Sequence, residues 1–363
     1  MPYTIEQIAE RIGAEAVGAA DLTIVRAAEP AGAAPDELAL AMAPKYAGEL
    51  GKGRARAAVL WSGADWRALG LEAAILVGRP RFAMSSVTQM LDPGPGIAPG
   101  IHPTAVIDPS ARIGDNAAIG PLAVIGPGAR IGANARILPQ VTIYRDVTIG
   151  DDALIHAGVR IAARVRIGDR FIAQPGAVIG GDGFSFVTPE KSGVERARET
   201  MGDQGEIVDQ HWARIHSLGS VTIGDDVEIG SNANIDRGTI RDTIIGSGTR
   251  IDSMVHVGHN TRIGRDCLLC GMTGIAGSVS IGDRVILGGA TGVADNLVIG
   301  NDVITGGGTK VVANVPAGRV MWGYPATKME TAVESYKALR RLPRLFREVA
   351  ALRKALSKPG SND

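Results

Sequence analysis

Residues 101–168 read IHPTAVIDPSARIGDNAAIGPLAVIGPGARIGANARILPQVTIYRDVTIGDDALIHAGVRIAARVRIG. Isoleucine recurs at 101, 107, 113, 119, 125, 131, 137, 143, 149, 155, 161 and 167, in unbroken steps of six. Two residues before most of these stands a second small apolar residue, as at Ala105, Ala111, Ala123, Val141 and Val165. A glycine often follows, as at Gly114, Gly120 and Gly132. The same phase resumes at Ile223, Ile229 and Ile235, slips by four residues, and continues from Ile245 to Ile299. Neither a helix, with its period of 3.6, nor a simple alternating strand repeats in sixes.

A short strand with alternate residues inward, followed by a tight corner, does repeat in sixes. Three such hexads close a triangular coil of about 18 residues, and stacked coils pair as parallel strands, the hexapeptide β-helix. The pattern therefore predicts a mainly β fold with Ile filling each corner and Ala or Val where the walls approach. Glycine is expected at turns that need positive φ. Such an interior has no width for aromatic rings, and the composition agrees: 49 glycines stand against 5 Phe, 5 Tyr and 4 Trp in 363 residues.

Three stretches depart from the period. Residues 182–216 form a long polar excursion, a loop of the functional kind. Residues 236–244, DRGTIRDTI, hold the four-residue insertion, and beyond Ile299 the repeat fades through ITGGGTKVVANVPAG (304–318). The coil domain is thus expected over 101–315. Residues 1–100 lack the hexad and read as a small α/β domain, with helices at IEQIAERIG (5–13) and SSVTQML (85–91) and strands at ARAAVLW (55–61) and LEAAILVG (71–78). The Pro- and Gly-rich DPGPGIAPG (92–100) links the two domains. Residues 316–363 form a C-terminal extension, helical over 326–357 and divided in two by Pro343.

Lys and Arg together number 38, as do Asp and Glu, so no global field favours nucleic acid. Cys267 and Cys270 cannot form a disulfide framework, and one CxxC cannot close a four-ligand zinc site, so no metal is expected. The N-terminus has no signal-peptide core, and no apolar run approaches the ~18 residues of a membrane span. A cytoplasmic address follows.

A prism packed with Ile and Ala leaves chemistry to its outside, in clefts between neighbouring copies. Hexad phase sorts the six histidines: His256 lies one residue before inward Val257 and faces out, and His259 lies two after it, at a corner. Asp252 sits at the preceding corner. An outward His with an acid nearby suits general-base chemistry. Eighteen residues beyond His259, on the same edge of the next layer, comes Gly277, whose N–H suits an oxyanion site.

PKY (44–46), IGGDGFSF (179–186), IDRGTIRDTIIG (235–246), HVGHN (256–260) and GYPA (323–326), set around IHPTAVIDPSARIG, carry a further signal. With them the sequence resembles the bacterial UDP-3-O-(3-hydroxyacyl)glucosamine N-acyltransferases of lipid A biosynthesis, within the hexapeptide-repeat acyltransferases. The resemblance implies a homotrimer of left-handed β-helices with active sites between subunits. It implies transfer of a 3-hydroxyacyl chain from acyl carrier protein to the 2-amino group of a UDP-glucosamine already acylated at O3. On matching positions it implies His259 as general base, Asp252 as its orienting carboxylate, and the Gly277 N–H on the thioester carbonyl. Tyr46 would stack on uracil in a uridine-binding N-terminal domain, with Lys45 beside the nucleotide and His256, Asn260 and Asn296 as further substrate contacts. No cofactor of its own is implied, since the acyl group rides on the phosphopantetheine of the carrier. A lipid product leaves peripheral contact with the inner membrane open.

The sequence departs from that family at Leu40 and Ala43, where an aromatic and an Asn are usual, and at Asn296, where members often carry His. The first two favour an alternative, an acyl- or acetyltransferase acting on another nucleotide sugar. TGGGT (305–309), if it lines the acyl groove, leaves room for a long chain. Between 328 and 358 stand nine basic and three acidic side chains. That charge, led by Lys337, Arg340, Arg341 and Arg344, is expected to dock the acidic carrier protein, while the helices' apolar face packs at the trimer end.

Overall fold

The computed structural model describes residues 2–207, 209–323 and 326–356. It divides into two units, 1–96 and 97–363. The junction thus falls inside the predicted linker, and Gly100–Ile101 already belongs to the coil, paired with Ala118–Ile119.

In the first unit, five strands lie in the order Glu15–Gly18, Ala73–Val77, Ala57–Trp61, Glu37–Leu40, Arg26–Ala28. The first pairing is antiparallel and the other three are parallel. The expected helix is Ile5–Ile12, opened by a Thr4–Gln7 capping box and closed by Gly13 at φ 64°, with Ile5 and Ile8 buried. The second helix starts earlier than expected, running Pro80–Leu91, because proline suits a first helical turn.

The second unit is a left-handed parallel β-solenoid. Wall I comprises 11 strands, from Gly100–Ile101 to Val320–Met321; wall II has 10, from Val106–Ile107 to Lys310–Val311; wall III has 9, from Arg112–Ile113 to Val298–Ile299. The ladders are in register, so Ile113, Ile131, Ile149 and Ile167 stack in one column. Each contact buries a branched chain on both sides, about 1.5–3 kcal/mol per side chain moved from water. The Val320–Met321 strand extends the coil beyond the expected limit at 315.

Three expectations are corrected. Positive φ falls on the third residue after the inward Ile, where glycine serves at Gly128, Gly158 and Gly248 but Asn116, Leu122, Gln140, Asp146 and Arg164 serve as well. The glycine after Ile is required by space: a β-carbon on Gly132 would lie 2.4 Å from the Gly150 carbonyl carbon of the next coil. The interior does hold one ring, Phe171, fully buried, because Ala173 stands where the hexad calls for Ile. The third correction concerns Pro343, which does not divide the C-terminal helix. Met329–Leu356 is one helix of 28 residues, since proline deletes one N–H while the flanking Ala, Leu, Arg and Glu are strong helix formers. Lys358, counted in the basic excess, and Tyr324 and Pro325 of the GYPA motif lie outside the described residues.

Candidate active site

Two of the three departures from period emerge at the same edge of the prism. The excursion 182–216 leaves wall II after Val178–Gly181, and the insertion follows Asn234–Asp236 one coil on. His259 lies at that II/III edge in the next coil, after His256–Val257. Gly277 and Asn296 continue the edge, tied by the Ser278 N–H to His259 carbonyl and Asn296 N–H to Gly277 carbonyl bonds. The excursion is not a bare loop: Phe186–Val187 pairs with Ala213–Arg214, and a capped helix spans Gly193–Thr200.

His259 is held between two glycines. A β-carbon on Gly277 would come within 2.8 Å of its Nε2, and one on Gly183, at the root of the excursion, within 2.7 Å of its Cβ. The Asn260 side chain fixes the ring plane. Its Oδ1 accepts from the Thr239 N–H at 2.8 Å, which leaves Nδ2 facing His259 Nδ1 at 2.9 Å. Asn260 itself sits at φ 59°, a conformation asparagine tolerates well. Nδ1 is then the accepting nitrogen and Nε2, which carries the proton of the neutral ring, is the one left to meet a ligand; Nε2 accepts a proton only in the other tautomer, with Asn260 turned from Nδ1.

His256, one strand position away, faces outward on wall II. Its Nδ1 lies 3.2 Å from Asn234 Nδ2, and its Nε2 lies 3.6 Å from Asp236 Oδ2. Asn234 Nδ2 also donates to Asp236 Oδ1 at 2.6 Å. Asp236 is only 4% exposed. Burial pushes its carboxyl up from the ordinary value, opposed by His256, the Asn234 hydrogen bond and His259, while Asp182 adds to the rise.

These residues border a groove of about 640 Å³. Its floor is the outward column of wall II, where His256, Gly274, Gly292 and Lys310 stack in register. Two consecutive glycines in that column leave a trough, and Lys310, whose chain folds over Gly292, closes the far end. Phe184 flanks the mouth and also borders a second cavity of about 740 Å³ within the excursion, lined by Phe186, Val194 and Trp212. The trough, with a histidine at one end and little polarity along its length, suits an extended apolar chain delivered to a base.

The structure therefore brings together His259, Gly277, His256 and Asn260. It places Asn296 on the same edge, where its side chain turns to Asp295, itself paired with Arg198 of the excursion. It does not bring Asp252 to His259 within one chain. Asp252 lies at the I/II edge, its oxygens accepting from the Ser253 and Gly271 N–H groups at 2.7 and 2.8 Å. Residues 305–309 also turn at the I/II edge, so TGGGT does not line the groove, because wall II's outward column supplies the floor. Asp236, Gly183, Gly274, Gly292 and Lys310 were not singled out from sequence. The last three follow from His256 by adding 18 repeatedly, a signal that was available.

In the first unit, Pro44–Tyr46 forms a single 3₁₀ turn with Lys45 Nζ 4.8 Å above the Tyr46 ring. Both line a cavity of about 750 Å³ with Leu40, Met42, Arg81 and Met84. Lys337, Arg340, Arg341 and Arg344 stand exposed on the C-terminal helix, and Arg344 pairs with Glu348 at 2.8 Å. Among the described residues no helix is long and apolar enough to cross a membrane.

The family described as "GMPPB C-terminal domain" matches residues 101–183. Over 363 residues, all of both chains, the sequence is 73% identical to the UDP-3-O-acylglucosamine N-acyltransferase of Ruegeria pomeroyi. It is 64% identical to the protein of that name from Paracoccus denitrificans over 99% of this chain and 98% of the other. The Pseudomonas aeruginosa protein of that name is 42% identical over 76% and 72%. The Arabidopsis UDP-N-acetylglucosamine acyltransferase structure superposes with TM-score 0.53 at 22% identity, covering 73% of this chain and 86% of that one, a likeness of fold.

Proposed function

The chain belongs to the UDP-3-O-acylglucosamine N-acyltransferase family, an acyltransferase of lipid A biosynthesis, and from that premise we propose how its residues divide the work. His259 removes a proton from the 2-ammonium group of the sugar, since an ammonium is no nucleophile, and the freed amine attacks the thioester carbonyl. The Gly277 N–H, beside the ring, meets the oxyanion that develops there. Collapse expels the carrier's thiolate and leaves an amide; of the two protons the nitrogen gives up along the way, one goes to the thiolate and the other to water. Asn260 turns from Nδ1 as the ring takes the tautomer with its proton there, which frees Nε2 to accept, and Asn296 borders the sugar side of the edge.

The trough over Gly274 and Gly292 takes the incoming 3-hydroxyacyl chain. The observation that carries this reading is the end-to-end arrangement of histidine, glycine-floored trough and closing Lys310 on one face. The donor is acyl carrier protein, which the exposed bases of the C-terminal helix attract. The Tyr46 cavity takes uridine, with Leu40 in place of a second ring. No resident cofactor is required by this scheme. The chain acts in the cytoplasm, and contact with the inner membrane is peripheral.

The working assembly is a homotrimer. Its support is wall I, whose outward column runs Leu268, Ile286, Ile304 and Val320, with Leu268, Ile304 and Val320 exposed in the single chain. That apolar column packs against wall II of the next copy and roofs the trough.

The test offers the purified enzyme UDP-3-O-acylglucosamine with 3-hydroxyacyl carrier protein, against rival nucleotide sugars with acetyl-CoA. Mass spectrometry of an N-acylated, twice-acylated UDP-glucosamine supports the reading; acetyl transfer to a rival sugar overturns it.

A further inference from the structure

Asp236 reached the site through the two interruptions of the repeat. It ends the Asn234–Asp236 strand, where the register with Val178–Gly181 shifts between Ile179 and Gly181. The shift lets the residue after Ile235 lie buried at the wall of the groove, where an unbroken hexad would have turned a corner. A carboxylate excluded from water at such a place needs partners. Asn234 supplies one hydrogen bond, to Oδ1. Oδ2 has the His256 Nε2 at 3.6 Å, too long for a hydrogen bond but within ion-pair reach.

Asn234 also sets the tautomer. Its Nδ2 donates to Asp236, so the same amino group faces His256 Nδ1 as a donor. Nδ1 is then the accepting nitrogen, and the neutral ring carries its proton on Nε2, toward Asp236. Asp252, the carboxylate assigned to the site by resemblance, has both oxygens engaged with backbone N–H groups on another edge.

We propose that Asp236 is the positioning carboxylate of this site, holding His256 at the groove wall with its ring proton on Nε2 and balancing the positive charge that forms when His259 takes the substrate's proton. The inference rests on the acyl-transfer reading above. Asp236 touches no reacting atom; it acts through the histidines. The titratable groups facing it are His256 on its own wall, His259 on the next coil and Asp182 at the root of the excursion.

The test is Asp236→Asn, which keeps size and one acceptor, made in the wild-type and in a His256→Gln background. The single variant is expected to lose roughly 10-fold or more in kcat with KM for both substrates little changed, as for loss of a group that supports proton transfer. The acid limb of its kcat/KM profile moves to lower pH, since a carboxylate that favours imidazolium has gone. In the His256→Gln background the same change costs less than in the wild type, because coupled residues are not additive. A carboxylate that only packs would cost stability equally in both backgrounds and leave the limb in place; that result overturns the proposal. A second readout is independent of turnover: nitrogen NMR of the His256 ring in folded protein without substrate reports the ring proton on Nε2 in the wild type and a changed tautomer balance in Asp236→Asn. An unchanged balance rejects the role even if the enzyme acts on some other sugar. Wild type without N-acyl product, together with a changed balance, rejects the substrate reading and keeps the pair.

Discussion

The imidazole of His259 lies so close over Gly277 that a β-carbon there would sit 2.7 Å from Cε1 and 2.8 Å from Nε2. The two residues are one coil apart on one edge, and the contact is open only because residue 277 has no side chain.

Gly277→Ala therefore has to push the ring aside. The coil itself should tolerate the methyl, since nothing else crowds it as closely. The expected result is a fall in kcat of about 100-fold from a misplacement of order 1 Å, with thermal melting near wild type. A variant of unchanged kcat would mean that the ring's seat over Gly277 is not the productive one.

The trough makes a prediction about chain length. A side chain at Gly274 would project into open groove, with nothing within 4 Å of its β-carbon. Gly274→Leu should lower kcat/KM for long 3-hydroxyacyl donors by at least roughly 10–200-fold, the range for a single methylene of pocket space. Short donors should be spared. Equal losses for all donors would place the acyl chain elsewhere.

Asp252 is expected to matter to the coil more than to the chemistry. Its Oδ2 accepts from the Gly271 N–H of the following coil, and Asp252→Asn removes part of that bond. About 1 kcal/mol of stability should be lost, read as a lower melting temperature, with the acid limb of the rate profile unmoved. A displaced limb would show that Asp252 reaches a histidine, and only another copy could provide it.

Arg340 and Arg341 lie exposed on a helix that buries none of its side chains in the single chain. Charge reversal of both to Glu should raise KM for the carrier-protein donor about 10-fold and more steeply at low salt. KM for the nucleotide sugar should not change. An unaltered donor KM would remove docking from this helix.

Much of this site could be read before any coordinates, and the reason is the repeat. A period of six converts residue number into wall, edge and height, so His259 and Gly277 were matched by adding 18. The method failed where the chain leaves the period. Asp236 is 23 residues before His259 and Gly183 is 76 before it, because the insertion and the excursion intervene, and no count could bring them together. Phe171 escapes a reading by hexad averages, which hide a local exchange of volume with Ala173. Pro343 was misjudged because one absent N–H weakens a helix without ending it. Asp252 stands at the I/II edge, the corner its hexad phase predicts, and its role at the site is implied by the resemblance alone.

The central claim is that His259 is the base of N-acylation at the II/III edge. Its most direct test is steady-state turnover of His259→Ala with UDP-3-O-acylglucosamine and 3-hydroxyacyl carrier protein, beside a melting curve for the same protein. A folded variant with turnover reduced about 10²–10⁴-fold is predicted, the usual worth of a positioned base. A folded variant that turns over at the wild-type rate would contradict the account.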